Sequence, residues 1–558
     1  MSKLFSSRRE LLRRDLLRTG ALSLATLPLL RLEAAEKTSQ RPAPTAVEIP
    51  ARSPTASLRP SAVPADSPAP QIIEARPIVL PEADPLASFD ATTQADLVRR
   101  GEVSVVELVE AAIRRIEQLN PHLQAVVSDR FAAALAEARR LPAGTGPLRG
   151  VPTLLQDVAI AGEAYPLGSR LLALVPQPAG ADDALYERLR HAGMIMLGRT
   201  SMPELVDAPV TRSRLWGAAR NPWDLARTPG GGSGGAAAAV ASLMVPVAQG
   251  SDSHGGLRLP AAATGLVGLK PSRGRISAAP HSEAWVDVTA CRGWLTRSVR
   301  DSAALLDICA GTVRGDSIAA PRALGTYRAL LSRSTGKLRI GIWQRVPGDL
   351  TPIDPEVTIA LRVTAQLLHD LGHRVEEAAP RPWQTTDHFE IMADYAPLQV
   401  SLRLAQAERQ LGRELTAAEL EPAVYALYRR ARETPAIEFA RTLQRIHDYS
   451  RTTLAWWNDG FDMLVTPAIG RPAPLLDELT GTLAEGMRRE RVQWMGFMGP
   501  ASLTGQPAIS LPVYWTPGRL PLGVQIVADM WREDLLLQLA AEIEKMHPWS
   551  QQLPPVHA

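Results

Sequence analysis

The sequence predicts an α/β fold, and two observations carry that expectation. Helix, strand and loop patterns alternate along most of the chain. From Asn221 to Ser277, a glycine-rich loop, an alanine-rich helix, a second glycine-rich turn and a strand follow one another directly.

The first 35 residues read as a leader. Paired arginines, Arg8-Arg9 and Arg13-Arg14, precede a modest apolar run from Thr19 to Leu30. That arrangement fits a twin-arginine export signal, giving a periplasmic or secreted protein. The run is well short of the roughly 20 residues needed to cross a bilayer as a helix, and no other membrane span is expected. Residues 36–85 are rich in Pro, Ala and Ser and too poor in large apolar side chains to build a core, so a solvated linker is expected there.

Past the linker the chain has the composition of a globular domain, with 45% hydrophobic and 21% charged residues over the whole sequence. A net charge of +3, without a basic stripe carrying interleaved aromatics, argues against nucleic acid as a partner. The two cysteines, Cys291 and Cys309, lie in apolar surroundings and suit core positions. With no HExxH or CxxC spacing, neither a metal site nor a cofactor is expected.

The elements follow in order. Apolar residues recur at three and four between Leu97 and Leu119, with Ser104 and Glu107 forming a capping box. A second helix is expected from about Ala125 to Leu141, then a strand and loop over LRGVPTLLQDVAIAG, then helix and strand over residues 182–197. In the glycine-rich stretch, Gly230 to Gly235 form a loop able to hold another group, and Ala236 to Ala241 form a small-residue helix starting at that loop. Later segments read as a strand at Lys337–Ile342, a helix ending near Gly372, helices from Phe389 to Trp457, and a buried strand at FDMLVTPA.

Taken together, GVPTLLQD at 150–157, GGGSGG at 230–235, and Gly250-Ser251-Asp252 followed by Gly255, Gly256, Leu257, Arg258 and Pro260 resemble the amidase signature family. The resemblance implies the amidase signature fold, a large mixed central sheet covered by helices on both faces. It would span residues 86–548, with 549–558 left as a tail. It also implies a Ser-Ser-Lys triad: a lysine in GVPxxxKD, a first serine in GGSSGG on a cis peptide bond, and a nucleophilic serine in DxGGSxR. In this chain Gln156 stands at the lysine position, Gly232 at the first serine and Gly256 at the nucleophile. A glutamine amide has no useful basicity, and glycine has no oxygen with which to attack or relay a proton.

The surrounding family residues, among them Asp157, Ser233, Asp252, Arg258, Lys270, Pro271 and Gly505-Gln506-Pro507, are all in place. The expected reading is therefore an exported amidase-fold protein without hydrolytic activity, binding a small carboxylate or amide, or a protein partner. The ligand-holding residues would be Ser233, Asp252, Ser253, His254, Gly255, Gly256 and Arg258, with backbone N–H groups before Gly256 as the donors. Two alternatives stand beside it. One is an active amidase that hydrolyses the C–N bond of linear amides with a relocated nucleophile, Ser233 or Ser253, with Ser251 nearby. The other is a non-catalytic subunit of a complex.

Overall fold

A computed structural model describes residues 78–79 and 84–558, apart from 176–178, 207, 281–287, 324 and 480–488. The expected twin-arginine leader and most of the expected linker lie outside the described residues.

A mixed sheet of 11 strands runs through the domain. From one edge to the other its strands are Arg374–Glu377, Arg339–Ile342, Met463–Pro467, Pro521–Ala528, Ala508–Trp515, Val267–Lys270, Cys291–Thr296, Val247–Asp252, Pro152–Leu155, Ile195–Thr200 and Val126–Asp129. The pairings from Met463–Pro467 to Val247–Asp252 are antiparallel. Val247–Asp252, Pro152–Leu155 and Ile195–Thr200 run parallel to one another.

Alternate residues of a strand point to opposite faces, so a strand covered on both sides reads as continuously apolar or buried. The central strands behave this way. Leu155, Val247 and Trp294 enter one hydrophobic core, while their neighbours Leu154, Ala248 and Leu295 enter a second core with Ala236 to Ala241. The all-buried helix Gly234–Ala241 has side chains no larger than valine, which lets the surrounding elements approach its backbone. A Cβ at Gly235 would lie 2.5 Å from the backbone N and O of Ser201, so only glycine fits there.

Several expected elements appear with different bounds. The capping box holds: Ser104 Oγ accepts from the Glu107 N–H, and the Glu107 carboxylate accepts from the Ser104 N–H, opening helix Val105–Leu123. The helix expected from Ala125 to Leu141 instead begins as strand Val126–Asp129 and becomes helical only at Phe131–Arg140. There Val126 and Val127 fit an edge strand, and the Asn120 side chain bonds the backbone of Ala125 and Val126. Residues 549–558, expected to trail as a tail, are packed. Trp549 and Val556 are buried, and Val556–His557 pairs in parallel with Ile78–Val79, a strand in the stretch expected to be linker. Among the described residues no helix is long and apolar enough to cross a membrane.

Away from the glycine-rich turns, helix Ala91–Arg100 is fastened to the body by carboxylates. Asp301 accepts from the N–H of Ala91 and Thr92 and from Thr92 Oγ, while Asp90 caps the helix and pairs with Arg300. Glu544 accepts from the Val299 N–H beside them. Burial, aided by the charges of Asp90 and Asp301, pushes the Glu544 carboxyl up to about 7. A carboxyl whose folded value exceeds its unfolded value stabilises the fold when protonated, and that stability is lost as pH rises through the folded value. Wild-type protein should therefore lose on the order of 1–2 kcal/mol between about pH 5 and pH 8 relative to Glu544→Gln. Thermal melts across that range check this, and parallel curves would sink it.

Candidate active site

Strand Val247–Asp252 delivers Asp252 to the start of a tight turn, and helix Arg258–Thr264 begins where the turn ends. Both charged residues are completely buried. Arg258 Nε donates to Asp252 Oδ2 and Nη2 to Oδ1, each at 2.8 Å, a two-point fork. Nη1 also donates to Gln525 Oε1, and Nη2 is shared with Ser502 Oγ and the Met498 carbonyl. The Asp252 carboxylate also accepts from the N–H groups of Gly255, Leu257 and Arg258. Burial alone would raise the Asp252 carboxyl, but the Arg258 charge and these hydrogen bonds outweigh it and hold the group below the usual carboxylate range.

The turn is shaped around this pair. Gly255 has φ +97, and a Cβ there would meet the Met498 side chain at 2.5 Å. A Cβ on Gly256 would lie 2.3 Å from the Ser251 carbonyl oxygen, so the glycine is packed against its own strand. Backbone fills the room that a side chain at this position would need. Among the described residues, the N–H groups of Ser253, His254 and Gly256 have no hydrogen-bond partner. These donors lie in the turn between Asp252 and Arg258.

Gln156 and Ser233 meet at the other side of the turn, and both are fully buried. Ser233 Oγ donates to Gln156 Oε1 at 2.6 Å and accepts from the Ser251 N–H at 3.2 Å. Gln156 Oε1 also accepts from the Ser251 N–H, and its Nε2 donates to the Gly232 carbonyl at 2.9 Å. The Ser233 N–H donates to the Gly256 carbonyl. Gln156, the Gly232 carbonyl and the Gly256 carbonyl thus converge on one hydrogen-bonded knot. Neither peptide bond flanking Gly232 is cis.

Ser253 and His254 differ from this knot in being half-buried. His254 Nε2 is itself enclosed and lacks a hydrogen-bond partner among the described residues. Burial and the Arg258 charge lower the imidazole to about 4, so it is neutral at ordinary pH. Its Nε2 lies against Gly499, where a Cβ would come within 3.3 Å, and His388 borders the same spot. His388 carried no signal in the sequence, since only the fold brings helix Asp387–Leu411 to this turn. No group of three or more His, Cys, Asp or Glu residues suited to a metal ion occurs among the described residues.

The fold and this turn define an α/β protein of the amidohydrolase type, with a buried Asp–Arg fork holding a glycine turn beneath a row of backbone donors. The amidase family model matches residues 107–537, and the chain belongs to that family. It is similar to the 6-aminohexanoate-cyclic-dimer hydrolase of Paenarthrobacter ureafaciens, 37% identical over 476 residues that cover 83% of this chain and 96% of the relative. The structure of a 6-aminohexanoate cyclic dimer hydrolase complexed with substrate superposes with a TM-score of 0.80 at 36% identity, covering 84% of this chain and all of that one. A bacterial aryl acylamidase of the amidase signature family follows with a TM-score of 0.76 at 26% identity, covering 85% and 100%.

These comparisons overturn the expectation of a non-hydrolytic binding protein. Relatives that match this chain over nearly their whole length are hydrolases, which favours the reading of an active amidase.

Proposed function

We propose that this chain is an amidohydrolase that cleaves the C–N bond of small amides with a nucleophile displaced from the position its family uses. The observation that carries the reading is its match over 96% of the length of a hydrolase. In this proposal Gln156, Gly232 and Gly256 replace the triad residues, and the attacking group is Ser253. Ser233 is a weaker candidate because its hydroxyl is buried and engaged by Gln156 and Ser251. Ser253 is half-buried, and its neighbour His254 has a neutral ring with an unpartnered Nε2.

The chemistry then runs as acyl transfer. Ser253 Oγ attacks the amide carbon while its proton passes to His254. The developing oxyanion takes hydrogen bonds from the backbone donors of the turn. His254 returns the proton to the leaving nitrogen, and water hydrolyses the resulting ester.

Turnover of linear amides and of the 6-aminohexanoate cyclic dimer, combined with fluorophosphonate labelling, tests this. Wild-type protein should turn over at least one substrate and carry the label on Ser253, and Ser253→Ala should remove both. A label on Ser233 or Ser251, or no turnover across the panel, defeats the assignment. Because a base must be unprotonated to act, kcat/KM should fall as pH drops through about 4, the value of His254. A flat acid limb would exclude His254 as the base.

We also propose export by the twin-arginine route, on the strength of Arg8, Arg9, Arg13 and Arg14. Changing all four to lysine should leave the protein in the cytoplasm. Unchanged export of that variant would dismiss the route.

A further inference from the structure

Lys270 ends strand Val267–Lys270 and Cys291 begins the adjacent strand Cys291–Thr296. Lys270 is fully buried and Cys291 is 6% exposed. Lys270 Nζ donates to the Pro271 carbonyl at 3.1 Å and lies 3.8 Å from Cys291 Sγ. Cys291 is paired with Asp252 across the sheet, and Gly293 with Gly250. Residues two apart share a face, and a Cβ on Gly250 would meet Ser233 Oγ. The lysine and cysteine therefore meet on the side of the sheet that carries Asp252 and Ser233.

We propose that Lys270 and Cys291 form an oxidative modification site, in which peroxide joins Nζ to Sγ through a single oxygen atom. Geometry places an amine and a thiol within reach in a site closed to larger reactants. Burial lowers Lys270 and raises Cys291, while the charge of each partner pulls the other back toward its charged form. The overall step uses two molecules of hydrogen peroxide, which accept four electrons from the pair. One S–H and one N–H bond are lost, one S–O and one O–N bond form, and three waters leave. The first oxidation gives the sulfenic acid, the reversible rung of the cysteine ladder. The second peroxide oxidises the neighbouring amine to a hydroxylamine, and its hydroxyl condenses with the sulfenic acid, releasing the third water, before sulfinic acid can form. The link would fasten the two ends of residues 271–290 beside the turn that holds Asp252.

Cys309 supplies an internal control. It is fully buried, burial pushes its thiol up to about 12, and the cation acting on it is the Arg188 guanidinium rather than an amine. Purified protein is treated with hydrogen peroxide, digested without reductant and mapped by mass spectrometry. The expected product is a peptide pair joined at Lys270 and Cys291, heavier than the unlinked pair by one oxygen and lighter by two hydrogens, and separated again by a thiol reductant. Cys309 should remain unmodified. In Lys270→Arg the same treatment should carry Cys291 to sulfinic or sulfonic acid. Should that variant fail to fold, the wild-type map alone decides. Sulfinic acid at Cys291 without a linked pair, or an unreacted Cys291 under peroxide that oxidises free cysteine added to the same mixture, overturns the proposal.

Discussion

Replacing Arg258 by alanine should destabilise the domain by about 3–5 kcal/mol, because it strands a buried carboxylate. The Asp252 side chain has no exposure, and its two oxygens are arranged around the guanidinium fork. Removing the fork also leaves Gln525 Oε1 and Ser502 Oγ without the guanidinium donor, and the Met498 carbonyl with the Ser502 hydroxyl alone. Arg258→Lys should recover only part of the loss, since an ammonium cannot reproduce two parallel bonds and three further contacts. Pairing Arg258→Ala with Asp252→Asn should be less damaging than the two single losses added together, as residues in contact couple. Denaturant and thermal unfolding of the wild type, the three single variants and the double variant measure this, and a loss below about 1 kcal/mol for Arg258→Ala would refute the role given to the pair. Because Asp252 is held below its ordinary range, its contribution is present above the unfolded carboxylate value and is lost as pH falls through the acid range.

Gly256→Ser should lower stability by about 1–3 kcal/mol rather than rebuild a family-like nucleophile. The new Cβ would sit 2.3 Å from the Ser251 carbonyl oxygen, and that atom belongs to the strand and cannot rotate away. The turn must open to admit it, disturbing the N–H groups of Gly255, Leu257 and Arg258 that bond Asp252. Gly256→Ala should be as destabilising as Gly256→Ser, because the clash comes from Cβ and not from the hydroxyl. Equal melting temperatures for wild type and both variants would show that the backbone yields easily.

The parts of this arrangement that were legible in the sequence are those set by local spacing. Ser104 and Glu107 lie three apart and cap a helix as their chemistry requires. Asp252 and Arg258, six apart, close one turn, so the interval itself points to their contact. What could not be read depends on chain segments meeting from afar. The bonds of Gln156 to Ser233 and to Ser251 span 77 and 95 residues. His388 reaches the turn from another element altogether. The strand Val126–Asp129 was hidden because four residues are too few to show a period beside an alanine-rich helix. The packed C-terminus was hidden for a different reason: Val556 is ordered by pairing with Ile78, almost the whole chain away.

The knot of Gln156, Ser233 and Ser251 is built only from neutral dipoles. Added salt has no charge there to screen, and neither acid nor alkali within the range the protein survives changes the ionic state of its members. An ammonium in place of the Gln156 amide would reverse this. It would face the Ser251 N–H with another donor where an acceptor is needed, and it would bring a charge into a space sealed from water. At this point the molecule trades electrostatic reach for constancy: its framework should hold the same shape in dilute buffer and in strong brine.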